Sequence, residues 1–262
     1  MTADAPSPTT PAPAPRLPAH TWVMMFMRML AIQGSWNYET LLGNGVGFCV
    51  EPALRHLPGG IHGPAFKTAL ARESTYFNAH PYLASVAVGA LARAELSGVP
   101  PERIERFRTA LCGPLGSVGD RLVWAGWLPF CSLVALVQFG VGARPAVVLL
   151  TFVILYNAGH FGLRVWGLRV GWTRGLGVAT ALANPVLRQG PAHVARAAAA
   201  AAGVALPLVA LRLLGHRSAE LGIVLAIAVL IAIVLVKLHG RVEGWKLALV
   251  MVALFALVSV IR

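Results

Sequence analysis

The chain has 262 residues, 57% of them hydrophobic and 12% charged, with a formal net charge of +12. Soluble domains carry about 25% charged residues, so the composition excludes an ordinary water-soluble globule and points to a bilayer. The basic residues stand at the ends of apolar segments and form no stripe interleaved with aromatics, which argues against a nucleic-acid partner.

Residues 1–20, MTADAPSPTTPAPAPRLPAH, are rich in Pro and Ala and lack the apolar core of a signal peptide. They predict a disordered cytoplasmic tail. Residues 21–118 read as a region of amphipathic and re-entrant helices. Its apolar segments at 22–32 and 82–94 are too short to cross a bilayer alone, as is 175–187 further on, and such pieces persist in a membrane only where protein or a polar cavity shields the backbone. Between Glu51 and Asn78, short helical pieces alternate with Pro and Gly breakers. GVPPERIERFRTALCG then predicts a charged amphipathic helix, with Pro100 and Pro101 at its start and Gly113 after its end.

Residues 119–262 read as a transmembrane bundle of about five spans. The runs 122–143 and 145–163 are uncharged and separated by Arg144 alone, close to the ~20 residues that a spanning helix needs. They predict a helical hairpin. Shorter apolar runs follow at 197–211, 221–236 and 247–261, flanked by basic residues able to snorkel to the interface. Arg103, Arg106, Arg108 and Arg121 precede the hairpin and Arg164, Arg169 and Arg174 follow it. The positive-inside rule therefore puts both outer ends in the cytoplasm and Arg144 outside. The fold class is an all-α integral membrane protein, a polytopic helical bundle with re-entrant and amphipathic helices in its N-terminal half.

Cys49, Cys112 and Cys131 are odd in number and lack metal-ligand spacing, so neither disulfides nor a zinc site are expected. The sequence has no HExxH, GxSxG or Cys/His cluster, and no cofactor or metal is expected.

Several polar or glycine-rich stretches break the apolar pattern: QGSWNYE at 33–39, GFC at 47–49 with EPALRHL soon after, YFNAHPY at 76–82, CGPLGSVGDR at 112–121 and LYNAGHFGLRVWGLRVGW at 155–172. In this order they resemble the IID subunit of the mannose, fructose and sorbose family of the bacterial phosphotransferase system, as a divergent member. Glu73, Thr75 and Arg121 depart from the family pattern. The resemblance implies a non-catalytic permease subunit in the bacterial cytoplasmic (inner) membrane, and the tail at 1–20 is read as a cytoplasmic N-terminus. It implies a IIC membrane partner and soluble IIA and IIB phosphocarrier proteins, IIB phosphorylating the hexose that IIC and IID translocate. The rival reading is a divergent IID-like scaffold or regulatory anchor for soluble phosphotransferase proteins, without transport.

The candidate substrate-pathway or subunit-interface residues are Gln33, Ser35, Trp36, Asn37, Tyr38, Glu39, Asn78, His80, Asp120 and Asn157. Gln33 and Asn37 both donate and accept toward sugar hydroxyls, and Glu39 accepts, while Trp36 and Tyr38 offer flat faces. The stretch is expected to form a buried polar junction, against interfacial anchoring of its aromatics. Asn78 and His80 precede Pro81, which favours an extended His80, in a capped turn or against sugar. Asp120 opens the uncharged hairpin, where a carboxylate needs a partner or a polar cavity, and the nearby glycines allow a tight turn. Asn157 and His160 share one helical face and read as hydrogen-bonding links across helices. Arg164, Trp166 and Trp172 read as an interfacial belt.

Overall fold

The computed structural model describes residues 15–178 and 185–214, together with Leu230. The described residues form helices: α1 (Ala19–Met29), α2 (Gly43–Leu54), α3 (Pro64–Glu73), α4 (Ala84–Leu96), α5 (Pro101–Gly119), α6 (Leu128–Gly140), α7 (Pro145–Arg174) and α8 (Pro185–Leu214). A π-helical stretch, Asp120–Trp127, joins α5 to α6 without a break. The tail at 1–14 and the apolar runs at 221–236 and 247–261 lie outside the described residues, apart from Leu230 in the first of those runs.

Proline sets several helix starts. Pro64, Pro101 and Pro145 occupy the first turn of α3, α5 and α7, where the missing N–H costs no intrahelical bond. The α6–α7 turn contains Gly142 at φ 90°, a conformation that glycine adopts without a Cβ penalty. The hairpin expected from residues 122–163 is present, with exposed Arg144 in its turn.

Among the described residues, three helical stretches are long and apolar enough to cross a membrane: Pro101–Gly140, Pro145–Gly177 and Arg188–Leu213. The first has 40 residues, about 60 Å at 1.5 Å per residue. That is twice a ~30 Å hydrocarbon core, so its charged N-terminal half projects beyond the apolar layer.

This long helix corrects one expectation. The tight turn expected at GPLGSVGD is absent, because the helix runs straight through it. Gly113 and Gly116 face open space and Gly119 is helical with φ −65°. The glycines here do not reverse the chain; at Gly119 the missing side chain makes room for a neighbour.

The core sits in the N-terminal half. α4 is enclosed along nearly its whole length, from Ala84 to Ala92, and is surrounded by α2, α5 and α7. Met25, Met29 and Ile32 of the α1 region, Val46, Cys49 and Val50 of α2, and Ile104, Leu111 and Leu115 of α5 join the same core. α6 packs chiefly on α8 and α7.

Small residues bring α4 and α7 together. A Cβ at Gly171 would stand 2.1 Å from the Val86 carbonyl oxygen, and one at Gly89 would stand 2.3 Å from that of Leu168. Gly167 accommodates the Ser85 hydroxyl in the same way. Ser85 and Gly89, and Gly167 and Gly171, each lie four residues apart. This is the small-residue spacing that lets membrane helices approach closely.

Candidate functional site

Tyr82 is the centre of a polar aromatic cluster built by the segment before α4, the π-helical stretch and α7. Its hydroxyl lies 2.6 Å from that of Tyr156. His160 stacks on its ring at 4.3 Å between centroids, and the Arg164 guanidinium lies over the ring at 4.9 Å. Tyr156, His160 and Arg164 follow at intervals of four on α7, which puts them on one face.

The hydrogen bonds fix the protonation pattern. Arg164 donates through Nε to His160 Nε2 at 2.8 Å. The His160 proton therefore sits on Nδ1, which faces Asn157 Oδ1 at 3.4 Å. Arg164 also donates to the Met29 carbonyl at the end of α1. It is 2% exposed and takes part in none of the ion pairs among the described residues. A carbonyl, an imidazole and an aromatic face together replace a carboxylate partner. Guanidinium suits such a role because its planar fork donates several bonds and stacks at once.

His80 closes the other side. Its Nδ1 accepts the Tyr82 backbone N–H at 3.2 Å, so the proton resides on Nε2, which is buried without a partner among the described residues. Its ring packs against Trp124 at 5.0 Å. Burial, reinforced by the positive charge of Arg164, pushes the imidazole pKa down to about 4, so His80 is neutral at physiological pH. Around the cluster, Trp124 is exposed and Tyr156, Asn157 and His160 are half-buried, so its outer edge is a rim of rings, an amide and an imidazole.

The sequence-predicted residues separate into two places. His80 and Asn157 belong to this cluster. The Asn157 amide donates to the Val153 carbonyl of its own helix at 2.8 Å, and among the described residues it makes no hydrogen bond to a second helix. Asn78 is exposed. Asp120 is also exposed, at the start of the π-helical stretch, and forms no ion pair among the described residues.

Residues 33–39 form a separate loop. Gln33, Ser35 and Glu39 are exposed, as are Trp36 at 46% and Tyr38 at 89%. A buried polar junction within this chain is therefore not what the stretch makes. Asn37 folds it instead: Oδ1 accepts the N–H groups of Glu39 (2.9 Å) and Thr40 (2.8 Å), and Nδ2 donates to Ser35 O and to Thr40 Oγ1. This side-chain turn satisfies the loop's own backbone. Backbone bonds from Leu42 to Phe77 (3.0 Å) and from Phe77 to Thr40 (3.1 Å) hold the loop beside the segment that leads to His80. The aromatics stay free, Trp36 packing edge-on to Tyr38 at 4.9 Å.

Sequence reasoning passed over Tyr82, Trp124 and Tyr156, and placed Arg164 in an interfacial belt. The four-residue spacing of Tyr156, His160 and Arg164 was the available signal. Trp172 is likewise enclosed, against Trp22 at 5.0 Å.

This geometry defines an all-α membrane protein with a polar aromatic cluster held beside its spanning helices. Residues 16–205 match the family described as PTS system mannose/fructose/sorbose family IID component, and the chain belongs to that family. It is 30% identical to the PTS system mannose-specific EIID component of Escherichia coli (strain K12) over 161 residues, covering 59% of this chain and 55% of the relative. Against the fructose permease IID component of Bacillus subtilis (strain 168), identity is 30% over 167 residues, covering 61% and 58%. Against the sorbose-specific EIID component of Klebsiella pneumoniae it is 30% over 177 residues, covering 64% and 61%. The chain thus spans between 55% and 61% of these curated relatives. A chain in the cryoEM structure of the mannose transporter ManYZ with microcin E492 is similar at TM-score 0.56 and 25% identity, covering 72% of this chain and 69% of that one.

Proposed function

We propose that this chain is the IID permease subunit of a phosphoenolpyruvate-dependent sugar phosphotransferase system. With a IIC membrane subunit it translocates a hexose inward, and a IIB protein phosphorylates the sugar. The chain itself is non-catalytic and supplies scaffold, partner interface and part of the sugar's route. The observation that carries this reading is the family match, which contains the whole Tyr82 cluster and the loop 33–39. The relatives' names supply the sugar class and the phosphotransferase system.

The exposed aromatics of residues 33–39 support contact with IIC, since Trp and Tyr are enriched at protein interfaces. Asp120 and Asn78, exposed beside the helices, fit the route of the sugar or the same interface. The rim of Trp124, Tyr156, Asn157 and His160 combines flat apolar faces with groups that donate and accept, the combination that sugar hydroxyls require. Five exposed arginines support a bacterial inner-membrane location with a cytoplasmic N-terminus: Arg103, Arg106 and Arg121 before the hairpin, and Arg169 and Arg174 after it. Arg108 and Arg164, counted with them in the sequence, are enclosed in the fold.

Mild-detergent purification of the tagged chain from its native membranes, with mass spectrometry of its companions, tests the reading. A near-equimolar IIC subunit, with phosphoenolpyruvate-dependent hexose uptake that Asp120→Asn abolishes without preventing insertion, supports it. Recovery of soluble phosphotransferase proteins without IIC makes the chain a scaffold or anchor and overturns the transport reading.

A further inference from the structure

Glu73 ends α3 with a side chain that is 0% exposed, enclosed by α3, α4 and α5. Its Oε2 accepts a hydrogen bond from Arg108 of α5. Arg108 also donates to the backbone carbonyls of Glu73 (3.2 Å) and Thr75 (3.0 Å) and lies over the Phe77 ring. The second oxygen, Oε1, is buried and has no donor among the described residues. The adjacent Arg72 is already committed, because its fork binds both oxygens of Glu95 on α4 at 2.9 Å each. Glu95 lies within hydrogen-bonding reach of Glu73.

Two carboxyl groups therefore meet in the core, each engaged by its own arginine, with acceptor facing acceptor. In a dry site that arrangement is repulsive, and it leaves an oxygen unsatisfied. A single proton between them resolves both problems, turning one oxygen into a donor. We infer that Glu73 and Glu95 form a proton-binding site, a carboxyl pair sharing one proton held on Glu73 Oε1 at neutral pH.

The surrounding charges agree. Arg108 comes from α5, Glu95 from α4 and Arg72 from α3, with Glu105 of α5 near enough to act on Arg72. Burial pushes the Glu73 carboxyl up to about 8, against the opposing pull of Arg108, and the charge of Glu95 adds to the rise. Through Thr75 and Phe77, Arg108 also anchors the start of the segment that carries Asn78, His80 and Tyr82.

The sign follows from linkage. Glu73 binds its proton more tightly in the folded chain, about 8 against an ordinary value of 4.5, so stability from this site is full below 4.5 and is lost as pH rises toward 8. His80 slopes the other way below 6.5, and the test is therefore read above that pH.

The test uses the full chain, purified in detergent with whatever partners accompany it. Infrared difference spectroscopy at pH 6.5 should show the C=O stretch of a buried protonated carboxyl that titrates away near pH 8 and is missing from Glu73→Gln. Melting temperature should fall between pH 6.5 and pH 8 in the wild type and stay level in Glu73→Gln, whose amide keeps a donor toward Glu95. Should that variant fail to fold, Glu95→Gln serves, and the infrared titration should move to lower pH. Absence of a titrating carboxyl band in the wild type, an equal slope in Glu73→Gln, or an unmoved midpoint in Glu95→Gln would each overturn the inference.

Discussion

Gly119 and His80 occupy each other's space: a Cβ on Gly119 would stand 2.2 Å from the Cβ of His80. Residues 39 positions apart are thereby tied, and the last glycine of GPLGSVGD gains a reason unrelated to turning. The His80 backbone N–H reaches the Leu115 carbonyl of the same helix at 3.4 Å, so the segment before α4 lies directly along α5.

Gly119→Ala should push His80 out of its seat against Trp124 and Tyr82. Overpacking of this kind costs about 1–3 kcal/mol. A lowered melting temperature in detergent, together with reduced hexose uptake in cells, is the expected outcome. Gly116→Ala, where a Cβ meets open space, should leave both unchanged and serves as the control.

The α4–α7 contact should fail more severely. Gly171→Leu places a branched side chain where the Val86 carbonyl oxygen already stands, and the facing Gly89 leaves no soft neighbour to yield. The helices must separate, with a loss of about 3 kcal/mol or more. Limited proteolysis of detergent-solubilised protein should show faster cleavage than in the wild type, while Gly162→Leu, in open space, should not.

Arg164 should resist replacement by lysine. Arg164→Lys keeps the charge but loses the fork that serves Met29 O and His160 Nε2 together. Leaving one such buried group unsatisfied costs about 1–3 kcal/mol. Arg164→Lys should therefore melt well below the wild type, and His160→Ala combined with it should cost less than the two separate losses added, because they share one bond. Strict additivity in the double-mutant cycle would show that the two side chains act separately.

Acid should weaken the chain through His80. Its pKa lies at about 4 in the folded protein against an ordinary value of 6.5, so the unfolded chain takes up a proton that the native site refuses. Stability from neutral His80 is complete above about 6.5 and is lost as pH falls toward 4, roughly 3 kcal/mol across the window. Glu73 acts in the opposite sense over part of the same range, so the difference between wild type and His80→Asn is the quantity to read. Thermal melts between pH 4.5 and 7 should show less acid destabilisation in His80→Asn, whose side-chain oxygen can still accept the Tyr82 N–H.

Trp36→Ala with Tyr38→Ala should behave differently from all of these. Both rings are exposed and the loop is folded by Asn37, so stability should change by no more than about 0.5 kcal/mol. Recovery of IIC during affinity purification should fall sharply. Full recovery of IIC with the double variant would remove this loop from the interface.

The sequence by itself determined the membrane class, the hairpin around Arg144 and the family. Each rests on local or ordered information: an uncharged run, a proline at a helix start, or five short motifs in one order. It could not show that the aromatics of QGSWNYE face outward, because Asn37 satisfies the loop's polar backbone and leaves the rings free. Tertiary structure alone decided which glycines are spacers, since Gly119 and Gly171 are explained only by His80 and Val86, distant in the chain. It also decided the fate of the charges. Glu73, Arg108 and Arg164 resemble the charges at helix ends around them, and a charge's cost depends on what surrounds it. Only the packing of α1, α3, α4, α5 and α7 encloses these three and gives each its partners.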